Sequence, residues 1–247
     1  LYIAIMWLKI TNNYSPNFSL PKRSKKKIEF LIIHYTGMKS ESLAIKKLCD
    51  PKAKVSSHYF IKKNGNILQL VPDLYEAWHA GKSSWKKYNS LNKTSIGIEI
   101  QNSGHDYSYE NFSLKQIDSL KKLLKNLVKN YKIDQKNILG HSDIAPNRKK
   151  DPGEKFPWKI LSKIKLVKWH KLNEKKIRKL RLIKLTDSEE NKFLKNLLKL
   201  GYNKIKGLNS ASEKKVIFRA FQRRFRQSLI NGFSDQECLL ISKNLLK

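Results

Sequence analysis

Acidic residues are scarce in this chain: 20 Asp and Glu face 52 Lys and Arg across 247 residues, for a formal net charge of +32. Such a balance invites an anionic partner, either a nucleic acid or a charged surface. The excess is mostly lysine, however, and runs through residues 1–172 as well as 173–247. No tail or helix face concentrates it and no nucleic-acid-binding motif accompanies it, so specific nucleic-acid binding is not expected. Cysteine is sparse too. Cys49 and Cys238 lie far apart with no CxxC pairing, which speaks against a disulfide framework and leaves two reduced, inert thiols as the expectation. Long apolar runs are missing. Residues 1–10 are apolar, but a bilayer span takes about 20 residues. This stretch also lacks the basic start and small-residue cleavage site of a signal peptide, and a cysteine for a lipid anchor. No transmembrane segment is expected.

What remains is a globular composition, 40% hydrophobic, long enough for one large or two modest domains with real cores. Residues 28–33 form an almost unbroken apolar run, the pattern of a central strand buried on both faces. It delivers His34 to the strand's carboxyl end, where open α/β sheets place their sites. Residues 42–49 have helical spacing and stop before Pro51. Residues 59–63 and 67–71 flank Asn64-Gly65-Asn66, a hairpin signature because Asn-Gly accepts the positive φ of a tight turn; His58 enters the first of these strands. In residues 95–101, Ile96, Ile98 and Ile100 share one face, and Ser95, Gly97, Glu99 and Gln101 the other. Alternation alone makes Glu99 a solvated residue on a half-buried strand. Residues 113–131 are the clearest helix, with a Ser113/Gln116 capping box. Its apolar stripe is Leu114, Ile117, Leu120, Leu123, Leu124, Leu127, Val128 and Tyr131. Ile138-Leu139 returns the chain to the sheet, and a short helix to about Trp169 closes this part.

Three further helices have their own start and stop signals. Residues 189–200 end at Gly201; Ser210 with Glu213 caps a helix carrying Phe218, Phe221 and Phe225; Ser234 with Glu237 caps the last. Arg223, Arg224 and Arg226 fit a solvated basic helix face. The expected fold is therefore α/β, a mixed central sheet flanked by helices, followed by a small all-α three-helix domain. The boundaries expected are 1–172 for the first domain, 173–186 for a basic linker and 187–247 for the helical domain.

The chemistry concentrates in residues 140–153, Gly-His-Ser-Asp-Ile-Ala-Pro-Asn-Arg-Lys-Lys-Asp-Pro-Gly. Here His141 precedes the Asp151 carboxylate by ten residues, with Pro146 and Pro152 stiffening the loop. An imidazole and a carboxylate held by a rigid loop suit zinc, which takes both and in catalytic sites uses three protein ligands. His34, at a strand end, is the candidate third ligand. Any one of these histidines alone reads more readily as a satisfied polar residue than as a ligand.

His34-Tyr-Thr36, Val55-Ser-Ser-His58, Ala77-Trp-His-Ala-Gly81, Ser95-Ile-Gly-Ile-Glu99, Gly140-His-Ser-Asp-Ile-Ala-Pro146 and Asp151-Pro-Gly153 occur in one order. Together they resemble the zinc-dependent N-acetylmuramoyl-L-alanine amidases of the type 2 class, relatives of phage amidases and animal peptidoglycan recognition proteins. The resemblance implies Zn2+ held by His34, His141 and Asp151, with Glu99 as general base and Lys149 stabilising the tetrahedral intermediate. It also implies His58, Trp78, His79 and Asn102 as substrate-binding residues. The implied reaction is hydrolysis of the amide between N-acetylmuramic acid and the L-alanine of the stem peptide, in peptidoglycan or in anhydro-muropeptides. The alternative is a non-catalytic peptidoglycan-recognition protein, a relative that lost a ligand; here all three ligand positions are filled. The position of Lys149 also has a geometric argument: if residues 148–151 are extended, Lys149 shares a face with Asp151 and Lys150 points away. Residues 220–226 and 232–237 resemble the small three-helix peptidoglycan-binding domain appended to wall hydrolases; the alternative is a helical module that only stabilises the enzyme. A cytoplasmic location is expected from the free thiols, with the periplasm or cell wall as the alternative. The sequence leaves oligomeric state open.

Overall fold

The structure, a computed structural model, describes residues 9–204 and 210–247. The expectations for the apolar N-terminal stretch therefore fall almost entirely outside the described residues. Ten strands are described: β1 (Ile10–Asn12), β2 (Phe18–Ser19), β3 (Phe30–Tyr35), β4 (Tyr59–Ile61), β5 (Ile67–Gln69), β6 (Glu76–Ala77), β7 (Ser84–Trp85), β8 (Tyr88–Asn89), β9 (Ser95–Ile100) and β10 (Ile138–Gly140). Six of them make one sheet in the order β1-β5-β4-β9-β3-β10, and β2–β6 and β7–β8 make two small ribbons. In the sheet β9 runs parallel to both β3 and β4, while β5 runs antiparallel to β4 and parallel to β1. The mixed sheet is thus as expected. By contacts the chain groups into two compact units, residues 1–79 with 92–138 and residues 80–91 with 139–247.

In the first unit Phe30 to His34 of β3 are all buried, as the unbroken apolar run requires of a strand covered on both faces. The β4–β5 hairpin turns through Gly65 at φ 86°, the positive value that glycine tolerates. Asn64 Oδ1 accepts the Asn66 N–H, closing the turn. Helix α1 (Glu41–Cys49) is capped by Ser40 and buries Ala44 and Leu48 against Phe60 and Leu70. Helix α2 (Leu114–Tyr131) carries the full Ser113/Gln116 capping box and buries Ile117, Leu120, Leu123, Leu124 and Leu127. Leu114, counted in the apolar stripe from its spacing, is exposed at the first helical position. Gln116 is buried instead, and its Nε2 donates to Gln101 O at 2.7 Å. One polar side chain thus starts the helix and ties it to the end of β9.

In the second unit the chain leaves β10 directly into the helical turn α3 (His141–Ile144), where a rigid loop was expected. Helix α4 (Trp158–Lys163) is shorter than expected and ends six residues before Trp169. Among the residues expected to link, α5 (Glu174–Arg178) forms, Arg181 makes a bidentate ion pair with Glu237, and Lys184 bridges to Asp235. Helices α6 (Asp187–Leu200), α7 (Ser210–Phe225) and α8 (Gln236–Leu245) follow, burying Phe193, Leu197, Phe218, Phe221, Leu239 and Ile241. Ser210 is itself the first residue of α7, and the residue that precedes it lies outside the described ones. The cap of α8 is Asp235, which accepts from Cys238 N, while Ser234 donates to Glu190 Oε2 at 2.6 Å. The arginine cluster departs most from expectation. Arg223, Arg224 and Arg226 are all buried; Arg224 pairs with Asp143, and Arg226 with Asp235 and Glu237.

Candidate metal centre

His34 lies beside Glu99 in the parallel register of β3 and β9. Register partners on neighbouring strands share a face about 4.8 Å apart, so backbone pairing alone brings an imidazole and a carboxylate together. Glu99 is half-buried, not solvated. Ser95 and Gly97 continue its face, and His79 lies over them. A Cβ at Gly97 would sit 2.4 Å from the His79 ring, so only glycine leaves room there. His79 Nε2 is 3.2 Å from Ser95 Oγ, and its Nδ1 is 3.0 Å from His34 Nε2. These contacts are satisfied when His79 donates from Nε2 to Ser95 and accepts at Nδ1 from His34 Nε2–H. The lone pair of His34 is then on Nδ1.

His141 follows the same rule. Its Nε2 is 3.1 Å from Ala80 O, which accepts, and 3.4 Å from Arg148 Nη2, which donates; with the proton on Nε2 toward the nearer carbonyl, the lone pair falls on Nδ1. That Nδ1 is 3.1 Å from Asp151 Oδ2. His34, His141 and Asp151 are all buried, and one ligand atom from each lies within 4.8 Å of the others. Two imidazole nitrogens and a carboxylate oxygen form a donor set that zinc accepts. A second partner fixing each ring is the usual support of a metal-binding histidine.

The loop behind His141 is held by a residue that sequence reasoning missed. Arg148 Nη2 donates to Ala80 O at 2.5 Å and to Lys82 O at 2.8 Å, and its Nε to Lys82 O at 3.0 Å. Burial lowers the pKa of its guanidinium, partly offset by the Asp151 charge. Asp143, also unassigned from sequence, is buried. It accepts from Gly140 N at 2.8 Å, Arg224 Nη1 at 2.6 Å and the Tyr202 hydroxyl at 2.7 Å. Its place in the Gly140–Asp143 motif was the only local signal, and its partners lie too far along the chain to be read from spacing.

Lys149 is half-buried and Lys150 exposed. The extended geometry argued for them is absent: the N–H groups of Arg148 and Lys149 both donate to Ala145 O, so this backbone turns. Two residues expected to touch substrate are wholly buried. His58 Nδ1 accepts from Gly97 N at 3.0 Å, which puts its proton on Nε2, 3.0 Å from Tyr75 O. Burial, reinforced by the nearby Arg23 charge, lowers its pKa to about 3. Asn102 is spent on Glu110 O, Gly104 N and the chain around Thr36. Both are thus wholly enclosed, with these polar atoms engaged by the protein itself. Trp78 is half-buried with its indole N–H donated to Ser19 Oγ at 2.8 Å. His79, 9% exposed, orients His34.

Over residues 24–154 the chain matches the family described as N-acetylmuramoyl-L-alanine amidase, more than half of its length. The chain belongs to this family. This amidase is 36% identical to the N-acetylmuramoyl-L-alanine amidase AmiD of Escherichia coli over 90% of its own chain and 83% of the relative. The solved complex of E. coli AmiD with anhydro-N-acetylmuramic acid-L-Ala-D-γ-Glu-L-Lys is similar to it at a TM-score of 0.78 and 34% identity, covering 92% of both chains. AmpDh3 of Pseudomonas aeruginosa, at 30% identity and a TM-score of 0.77, covers 93% of this chain and 95% of its own. Among the described residues no helix of the amidase is long and apolar enough to cross a membrane.

Proposed function

We propose that this amidase is a zinc enzyme that hydrolyses the amide between the lactyl group of N-acetylmuramic acid and L-alanine, with anhydro-muropeptides as substrates. The observation that carries this reading is the buried His34, His141 and Asp151 set, whose ligand atoms, one from each residue, lie within 4.8 Å of one another. The substrate class is supported by the likeness, over nine-tenths of both chains, to AmiD solved with an anhydro-muramoyl peptide. Zinc bound there supplies Lewis acidity, which polarises the scissile carbonyl and lowers the pKa of a water to roughly 7. Glu99, beside His34 in the register, takes the proton of the attacking water and passes it to the departing amine, without which the amine is a poor leaving group. Lys149 neutralises the negative charge that develops on the carbonyl oxygen.

Incubating the protein with a purified anhydro-muropeptide and resolving the products by mass spectrometry tests this. Release of the stem peptide with a free L-alanine amino group, abolished by a zinc chelator, is expected. Binding without cleavage by fully metallated protein would point to a recognition protein instead.

A further inference from the structure

The turn His141–Ile144 holds both ligands that come from this part of the chain. His141 is its first residue, and Ser142 N donates to Asp151 O at 2.9 Å. What holds the turn is Asp143, whose side chain reaches back to the Gly140 N–H and closes the corner where strand becomes helix. A buried carboxylate needs donors or a charge to be tolerated. The two strongest partners of Asp143 come from the helical region that follows. Tyr202 lies just beyond α6 and Arg224 near the end of α7, 59 and 81 residues along the chain.

Neither partner is free to drift. Arg224 lies over the Trp158 ring at 4.2 Å, and Trp158 in turn abuts Gly140, where a Cβ would come within 3.3 Å of its ring. Tyr202 meets Trp85 edge to face at 4.9 Å, and its neighbour Gly201, at φ 135°, leaves no space for a Cβ against that indole. Burial, with the Asp143 charge adding to it, raises the Tyr202 pKa well above its ordinary value, so the hydroxyl stays a donor. Each member is thus locked by packing before it meets Asp143.

We infer that Asp143, Tyr202 and Arg224 are positioning residues for His141 and Asp151, so that the C-terminal helical region sets how tightly this amidase holds its metal. The inference rests on the zinc-amidase reading. It gives the helical region a part in the chemistry that recruitment of wall polymer does not require. Outer partners of metal ligands change metal affinity or activity by about 10- to 100-fold when removed, and a ligand-bearing turn that loosens should act in the same way.

The test uses full-length protein with Tyr202→Phe, which deletes one hydrogen bond and keeps the ring, and Arg224→Lys, which keeps a charge but loses the stacked guanidinium. Lys214→Ala, which breaks an ion pair with Glu190 elsewhere in the helical region, is the control. Zinc affinity is measured by chelator competition, alongside kcat and KM on a small soluble anhydro-muropeptide. Tyr202→Phe and Arg224→Lys should bind zinc about 10-fold more weakly, with kcat reduced at subsaturating zinc and KM nearly unchanged. Lys214→Ala should match the wild type. Wild-type zinc affinity in both variants, even with a lower melting temperature, would reduce the network to ordinary fold support and overturn the inference. If Arg224→Lys does not fold, Tyr202→Phe decides alone. A wild type that binds no zinc would instead defeat the underlying zinc-amidase reading, so the two failures are distinguishable.

Discussion

At the scale of single residues, the roles proposed for Lys149 and Lys150 make opposite demands. Lys149→Ala should retain zinc and lose on the order of 10²–10³ in kcat, the magnitude of a lost oxyanion donor, whereas Lys150→Ala should be nearly silent. Turnover of the two variants at matched metal content checks this, and equal rates for wild type and Lys149→Ala would remove the residue from the mechanism. His58 makes a different prediction. Its folded pKa of about 3 lies below the ordinary value of 6.5, so the unfolded chain binds a proton that the folded chain refuses. The stability this imidazole confers is therefore complete above about pH 6.5 and declines as the pH falls toward 3, by about 1.4 kcal/mol per pH unit. The His58 ring resonance followed by NMR should stay that of a neutral imidazole down to about pH 3; a midpoint near 6.5 would contradict the burial argument. His34, His141 and Asp151 were legible as a group because two strand-end histidines and a loop carboxylate stand within motifs that resemble the family's. The enclosure of His58 and Asn102 was not, because burial depends on what packs over a residue and not on its own neighbours in sequence.

At the scale of elements, β9 shows a local rule and a tertiary demand meeting. Alternation correctly separates Ile96, Ile98 and Ile100 from Ser95, Gly97 and Glu99. It gives no reason for a glycine, a weak strand former, at position 97; the His79 ring supplies it. Gly97→Ala should cost about 1–3 kcal/mol, as overpacking does, and should also weaken zinc binding by tilting His79 off His34. Urea unfolding with and without zinc measures both, and unchanged stability would mean that the ring has slack. Helix signals behaved in the same way. The Ser113/Gln116 box was legible because every partner lies within four residues. The start of α8 was missed by one residue because Ser234 and Asp235 are both good caps, and Glu190, 44 residues earlier, takes the serine.

At the scale of the whole molecule, the net charge of +32 is a poor guide to where cations act. Three arginines that composition assigns to solvent are buried, two of them paired with acids, and one of those two braces the turn that carries His141. The class of fold could be read from runs and periodicities. The dependence of that turn on α7 could not, since nothing local to either segment encodes it. Zinc held by His34, His141 and Asp151 is the claim on which everything else depends. Its most direct test is metal analysis and anhydro-muropeptide turnover on the same preparations of wild type, His34→Ala and His141→Ala. The account predicts one zinc per chain with turnover in the wild type, and loss of both in each variant. Full zinc occupancy in the two variants, or turnover by wild type from which all metal has been stripped, would contradict it.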